Sequence, residues 1–307
     1  MHSLREVWEQ LTDDDQKNKV PYSPDFYPGG NYIDLLPHGE TRYWLFGPET
    51  GQKIVFVHGI SIPSTIFKEI ATYFAKKEFR VLIYDLYGRG YSASPKCDYN
   101  KTLFIEQLLN LLDKVGFDKT NVVGLSMGGA ISVLFAQKYP EKVENLALIA
   151  PAGLLEPMDI PFVGRILTFP GVSKMIHNPM TRPLIERSII NRLNKENKKS
   201  VLADEIENIV MYQLHKHAGF VDSYISTIKH FPLHGLEEAY KEVGMQQRDE
   251  VLVVWGSDDE TVPYRLCKCL QQYIPQARVI TIPNGTHGLT VTHPEILSTH
   301  LYEFFSR

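Results

Sequence analysis

Three residue types in this chain could together break an acyl bond: an alcohol, an imidazole and a carboxylate. The alcohol is Ser126, in the run Asn121-Val122-Val123-Gly124-Leu125-Ser126-Met127-Gly128-Gly129-Ala130. A serine is a poor nucleophile at neutral pH until a base takes its proton, and the base must be held in one tautomer by an acid. His287, in Pro283-Asn284-Gly285-Thr286-His287-Gly288, offers the base, and Asp258 or Asp259, in Gly256-Ser257-Asp258-Asp259, offers the acid. The spacing Gly124-x-Ser126-x-Gly128 has a steric reading. A serine lifted out of a sheet on a sharp strand-to-helix turn takes strained backbone, and side chains at 124 and 128 would collide with the strand and the helix. The helix behind it would aim its free N–H groups and positive dipole end at the surroundings of the serine.

The elements that must position these groups are legible in the periodicity. Apolar, β-branched runs predict strands over 32–36, 41–46, 53–57, 80–84, 143–149, 250–255 and 278–282, besides the run that ends at the serine turn. Between them, helices are predicted over about 65–77, 102–115, 262–274 and 294–305, and another after Ser126 that stops before Pro140. Strands alternating with helices of this length imply right-handed βαβ units and a mostly parallel sheet. In such sheets ligands bind beyond the carboxyl ends of the strands. Ser126, the two aspartates and His287 all follow strands, so one sheet edge would collect them. The rhythm breaks at Pro151. From about 153 to 245 the pattern is helical and interrupted by prolines 157, 161, 170, 179, 183 and 232, which reads as an insertion. Before the sheet, Leu4, Val7, Trp8 and Leu11 make one helical stripe, followed by an irregular connector rich in aspartate and proline.

The 307 residues, 43% hydrophobic and 22% charged, suit a large soluble α/β domain with an insertion. A net charge of -4 gives no electrostatic reason to expect nucleic acid, and the mixed cluster Lys195–Lys199 reads as a solvated loop. Cys97, Cys267 and Cys269 imply no disulfide framework, and the last two read as helix residues. The first residues carry charge and no apolar signal core, and no apolar run reaches the ~18 residues of a membrane span. A cytoplasmic setting is the expectation.

Five motifs stand in order: Val57-His58-Gly59, Asp85-x-x-Gly88-x-Gly90-x-Ser92, Gly124-Leu125-Ser126-Met127-Gly128-Gly129, Trp255-Gly256-x-x-Asp259-x-x-x-Pro263 and Gly285-Thr286-His287. On these the chain resembles the α/β-hydrolases of the capped serine esterase and lipase type, monoacylglycerol-lipase-like or lactonase-like, over about residues 40–307. The resemblance implies an α/β-hydrolase fold: a doubly wound, mostly parallel sheet with a helical cap inserted after the strand that follows the nucleophile helix. It divides the chain into a first core part at 1–152 (with the N-terminal helix and connector in 1–30), a cap at 153–245, and a second core part at 246–307. By the family pattern Ser126 attacks a carbonyl carbon, His287 moves the proton, and the Trp-Gly-x-x-Asp spacing selects Asp259 over Asp258 as the orienting acid. The same pattern assigns the oxyanion to the backbone N–H groups of Met127 and Ile60. The loop Ile60-Ser61-Ile62-Pro63-Ser64 departs from the glycine-rich form of many lipases, so Ser61 is the alternative to Ile60. His58 shapes that loop, and Asp85 and Arg89 tie down another.

The implied activity is hydrolysis of a hydrophobic acyl ester or lactone through an acyl-enzyme on Ser126. The alternatives are hydrolysis of a C–C bond in a β-diketone-type substrate by the same groups, and a non-catalytic ligand receptor on the same fold. No cofactor is implied, because the first βα turn is His58-Gly59-Ile60-Ser61 and not Gly-x-Gly-x-x-Gly. No metal is implied either: His215 and His217 lack further ligands and read as helix surface, as do His293 and His300. Leu154, Leu155, Phe162 and Ile166 belong to an apolar, proline-bounded stretch that would wall an acyl pocket. Only Arg165 is nearby to meet lipid headgroups, so a pocket is favoured over a membrane-lying helix, with peripheral lipid contact left open. The natural substrate and the oligomeric state are not legible.

Overall fold

The structure is a computed structural model that describes residues 29–156, 158–159, 187, 191, 203–246 and 251–307. The expected N-terminal helix and connector, the Lys195–Lys199 cluster, and Phe162 and Ile166 lie outside these described residues.

Every apolar run read as a strand forms one. The strands are β1 (Gly30–Leu35), β2 (Gly39–Phe46), β3 (Lys53–Val57), β4 (Arg80–Tyr84), β5 (Thr120–Leu125), β6 (Val143–Ile149), β7 (Val251–Gly256) and β8 (Ala277–Ile282). They make one sheet in the order β1-β2-β4-β3-β5-β6-β7-β8. The β1–β2 and β2–β4 pairs are antiparallel, and all pairs from β4 through β8 are parallel. Strands of the parallel part are covered on both faces, which is why β5 and β7 are buried at every residue. The period of two still decides what each side chain meets. Val55 and Val57 of β3 enter one apolar cluster with Phe104, Leu108 and Val133, while Ile54 and Phe56 enter another with Phe67, Phe74 and Leu301.

The helices, among the described residues, are α1 (Lys68–Lys76), α2 (Lys101–Lys114), α3 (Met127–Lys138), α4 (Ala203–Lys216), α5 (Phe220–His230), α6 (Glu237–Met245), α7 (Arg265–Tyr273), α8 (Leu289–Thr292) and α9 (Pro294–Phe305). Helix α2 begins where Asn100 turns its side chain to accept the Leu103 N–H at 3.1 Å, satisfying one of the orphan donors of the first turn. Cys267 and Cys269 both lie on α7 and are free thiols.

Two predicted helices start differently, and a carboxylate holds the turn ahead of each. The helix expected from 65 opens instead as a tight 3-10 turn, Ser64–Phe67, whose first residue is anchored by Asp85, which accepts both the backbone N–H of Ser64 (3.0 Å) and its hydroxyl (2.6 Å). The helix expected from 262 begins at Arg265, and ahead of it Asp259 accepts the N–H groups of Thr261 and Val262, each at 2.9 Å.

Between β6 and β7 the described residues form α4, α5 and α6 and no strand. Helices α4 and α5 attach to the loop after β4 through buried polar side chains described below. Helix α6 behaves otherwise: it packs on α3 and α7, buries Tyr240 fully, and donates the Tyr240 hydroxyl to the Ala152 carbonyl at 2.6 Å. Its packing groups it with the sheet-flanking helices. The division of the chain remains a proposal, and this packing supports closing the insertion before α6.

Candidate active site

Strand β5 delivers Ser126 to the carboxyl edge of the sheet. The serine has φ 56° and ψ -120°, a combination that a non-glycine residue holds only when its surroundings over-determine it. Here they do. Its N–H donates to the Ile149 carbonyl at 3.0 Å, and its own carbonyl accepts from Gly129, Ala130 and Ala152 at 2.9, 3.2 and 2.9 Å. The two motif glycines permit this. A Cβ at Gly128 would drive into the carbonyl oxygens of Val57 and His58, and one at Gly124 would strike Ser132 and the Gly128 carbonyl. Met127 opens α3, where its N–H has no carbonyl one turn back.

The loops after β7 and β8 are laced together: Ser257 donates its N–H to Ile282, Asp258 its N–H to Gly285, and Asn284 its N–H to the Ser257 hydroxyl, all at 2.8–3.0 Å. This fixes Asp259 against His287, with His287 Nδ1 2.8 Å from Asp259 Oδ2. The other carboxylate oxygen is occupied by Thr261 and Val262, so the carboxylate is buried and fully used. A carboxylate there can only accept, so Nδ1 carries the ring proton and Nε2 presents a lone pair. Asp258 is exposed and accepts from the Ser257 hydroxyl at 2.8 Å; it does not face the ring.

The loop after β3 passes beside the serine. A Cβ built on Gly59 would lie 3.4 Å from Ser126 Cβ and 3.9 Å from its Oγ. Neither Ile60, Ser61 nor Met127 gives its N–H to an acceptor among the described residues. The arrangement therefore presents a hydroxyl on a strained turn, a carboxylate–imidazole pair and free backbone donors at one sheet edge. A family model described as alpha/beta hydrolase fold matches residues 53–294. The chain belongs to the α/β-hydrolase fold family.

Relatives of this α/β-hydrolase differ in what they are named for. A 2-hydroxy-6-oxononadienedioate/2-hydroxy-6-oxononatrienedioate hydrolase of Burkholderia vietnamiensis is 27% identical over 298 residues, 90% of this chain and 95% of that protein. An uncharacterized protein of Mycobacterium tuberculosis is 28% identical over 152 residues, so that the match spans 48% of this chain and only 43% of that relative. Among solved structures, the enol-lactonase of Burkholderia xenovorans superimposes with TM-score 0.74 at 20% identity, covering 90% of this chain and 100% of that one. That likeness shows the fold.

The other residues singled out in the sequence fall as follows. Leu154 is buried and Leu155 half-buried in the apolar cluster on the α3 side of the sheet. His215 and His217 are half-buried and not on the open surface, and burial lowers the pKa of His217. His293 and His300 are likewise half-buried. Among the described residues no three His, Cys, Asp or Glu side chains converge as a metal site, and no helix is long and apolar enough to cross a membrane. Asp85 accepts from Ser64 and, at 2.9 Å, from the Tyr91 N–H, tying its own loop to the turn after β3.

His58 is fully buried, with both ring nitrogens engaged. Its Nε2 accepts the Leu86 N–H at 2.8 Å, so Nδ1 carries the proton and donates to the Gly59 carbonyl at 2.8 Å. Burial pushes its pKa down to about 3. The ring is thus a neutral strut with no nitrogen left for proton transfer. As pH falls below about 6.5 the unfolded chain takes up a proton on this residue that the folded chain refuses until about 3, so stability drains over that window by about 1.4 kcal/mol per pH unit. Asp85 works in the opposite sense, since burial raises its carboxyl to about 6 and the folded chain binds that proton first. Comparing wild type with His58→Asn isolates the histidine. Urea unfolding at pH 6 and pH 4 is expected to give a pH slope one proton smaller in the variant, and equal slopes would show that His58 is protonated in the fold.

Sequence reasoning missed one residue here. Gln213 of α4, fully buried, donates to the Ser61 carbonyl at 2.9 Å and accepts the Gly90 N–H at 2.8 Å. A signal existed. Ile206, Ile209, Val210 and Leu214 form the buried stripe of α4, and position 213 falls on that stripe where an apolar residue is due.

Proposed function

We propose that this α/β-hydrolase is a serine hydrolase of hydrophobic carboxylic esters or lactones. Ser126 Oγ attacks the carbonyl carbon as His287 Nε2 takes its proton, and the oxyanion is held by the N–H groups of Ile60 and Met127. The imidazolium, steadied by Asp259, returns the proton to the departing alkoxide. Water then attacks the acyl-enzyme with His287 again as base, releasing the acid. The single observation that carries the reading is the 2.8 Å contact between Asp259 and His287, with the second carboxylate oxygen saturated by backbone, at the sheet edge where Ser126 stands on its strained turn. Leu154, Leu155, Phe162 and Ile166 are proposed to wall the acyl pocket, under a cap made by the inserted helices.

A second reading has its own support. The Burkholderia vietnamiensis relative, 27% identical across 90% of this chain, is named for a 2-hydroxy-6-oxo dienedioate, which contains no ester. Hydrolysis of such a compound must cleave a C–C bond, and the same serine, histidine and aspartate can serve it. Initial rates across p-nitrophenyl esters from two-carbon to long acyl chains, a lactone and a 2-hydroxy-6-oxo dienoate separate the two. Saturable ester turnover with a chain-length optimum is expected. Turnover of the dienoate alone would install the second reading, and stoichiometric binding without turnover of anything would leave a receptor.

A further inference from the structure

Three consecutive peptide carbonyls of the loop after β3 are each tied off by a different buried side chain. The Gly59 carbonyl accepts from His58 Nδ1 at 2.8 Å, the Ile60 carbonyl from Arg89 Nε at 3.1 Å, and the Ser61 carbonyl from Gln213 Nε2 at 2.9 Å. Because a trans peptide is planar, holding the carbonyl of one residue fixes the direction of the next N–H on the opposite side. His58 thereby aims the Ile60 N–H, and Arg89 aims the Ser61 N–H. Residues 59–61 form no helix or strand of their own, so these three ties restrain them between His58, anchored by the Leu86 N–H, and Ser64, anchored by Asp85.

Two of the three depend on the inserted helices. Gln213 belongs to α4. Arg89 belongs to the loop after β4, but its NH2 donates to Thr227 Oγ1 of α5 at 2.8 Å, while NH1 donates to the Tyr87 carbonyl at 3.1 Å. The guanidinium is fully buried and has no carboxylate in ion-pair distance among the described residues; the rings of Tyr99 and Phe104 lie 5.8 Å from it. A buried cation is tolerated only where hydrogen bonds replace its water, and one of those bonds comes from α5. The Ser223 hydroxyl of α5 adds a bond to the Gly88 carbonyl at 3.0 Å.

We infer that Gln213 and Arg89 are positioning residues for the oxyanion loop: His58 aims the Ile60 N–H, and Arg89 and Gln213 hold the two peptide planes that follow, so that docking of α4 and α5 keeps the chain beyond Ile60 from swinging that donor out of line. The inference rests on the proposed serine hydrolysis for its catalytic consequence, while the positioning itself can be read without turnover. Gln213→Leu removes the tie to Ser61 at nearly constant volume, and Thr227→Val removes the Arg89 acceptor from α5. Ser226→Ala is the control: its hydroxyl accepts the Tyr99 N–H at 3.1 Å, a bond of the same kind between α5 and the core that does not touch the loop.

The first readout is the backbone order parameter of the residue 59–62 amides from nitrogen-15 relaxation, expected to fall in Gln213→Leu and Thr227→Val and to stay unchanged in Ser226→Ala. The second is kinetic. Loosened donors cost transition-state binding and spare substrate binding, so kcat on an ester should fall about tenfold with KM within about twofold. The inhibition constant of a trifluoromethyl ketone, which forms an oxyanion on the serine, should rise by the same factor. Should Gln213→Leu fail to fold, the isosteric Thr227→Val carries both readouts. Unchanged order parameters, or lowered ones with unchanged kcat in an active enzyme, overturn the inference, as does an equal loss in Ser226→Ala. A wild type that neither turns over esters nor is labelled at Ser126 overturns the proposed function instead, and the relaxation comparison still decides the positioning.

Discussion

Replacing Ser126 by alanine is expected to lower ester kcat by roughly 10⁵ to 10⁶-fold, the scale seen when a serine nucleophile is removed from an intact site. The effect should be confined to chemistry. All four hydrogen bonds that hold residue 126 run through its backbone N–H and carbonyl, and alanine keeps them. Alanine is also no easier to place at φ 56° than serine, so the strain of the turn is retained and the melting temperature should shift little. Ser126→Gly makes the complementary point: it should be equally inactive yet melt higher, since glycine accepts positive φ without cost. Purified wild type and both variants, compared by ester hydrolysis, fluorophosphonate labelling and thermal unfolding, check this directly. Alanine at 126 with more than a hundredth of wild-type turnover would remove the serine from the proposed chemistry.

The parts of this molecule that were legible in the sequence are those governed by local pattern. The β-branched runs became strands, with β4 and β6 at the expected bounds, because apolar side chains on both faces of a buried parallel strand leave little alternative. The glycines at 124 and 128 were readable because their absence of a side chain is a local steric demand, and the collisions a Cβ would meet there bear this out. Ser126, the aspartate pair and His287 were readable for a topological reason: parallel strands put their following loops at one edge. What was not legible depends on partners distant in sequence. The Ser64 turn ahead of α1 is anchored by Asp85, 21 positions away, a tie no periodicity encodes. Gln213 reaches Ser61 across 152 positions, a pairing no periodicity encodes, although its place on an apolar stripe marked it as a polar residue with a task. Between Asp258 and Asp259 the Trp-Gly-x-x-Asp spacing already selected the latter, and in the structure the loops of β7 and β8 turn Asp259, and not Asp258, toward the ring.

That last geometry leads to the second large effect. Asp259→Asn should lower kcat by about 10⁴-fold, the scale of a tautomer error in a serine–histidine–carboxylate system, although the substitution changes hardly any volume. The carboxylate uses Oδ1 to accept two backbone N–H groups, from Thr261 and Val262, and Oδ2 to accept from His287 Nδ1. An asparagine has one acceptor end and one donor end. Turning the NH2 toward the loop would set it against two N–H donors in a buried place, so the amide oxygen must stay there and the NH2 must face the imidazole. A donor facing Nδ1 requires Nδ1 to accept, which moves the ring proton to Nε2, and an Nε2–H cannot take the proton of Ser126. The fold should be nearly untouched, because the two loop hydrogen bonds survive. Nitrogen NMR of the histidine ring would show the exchanged tautomer, and kcat would show its consequence. Asp258→Asn, at an exposed side chain that faces Ser257, should change neither. Equal activity of Asp259→Asn and wild type would mean that the imidazole does not act as the base, and with it the proposed division of labour among Ser126, Asp259 and His287 would fall.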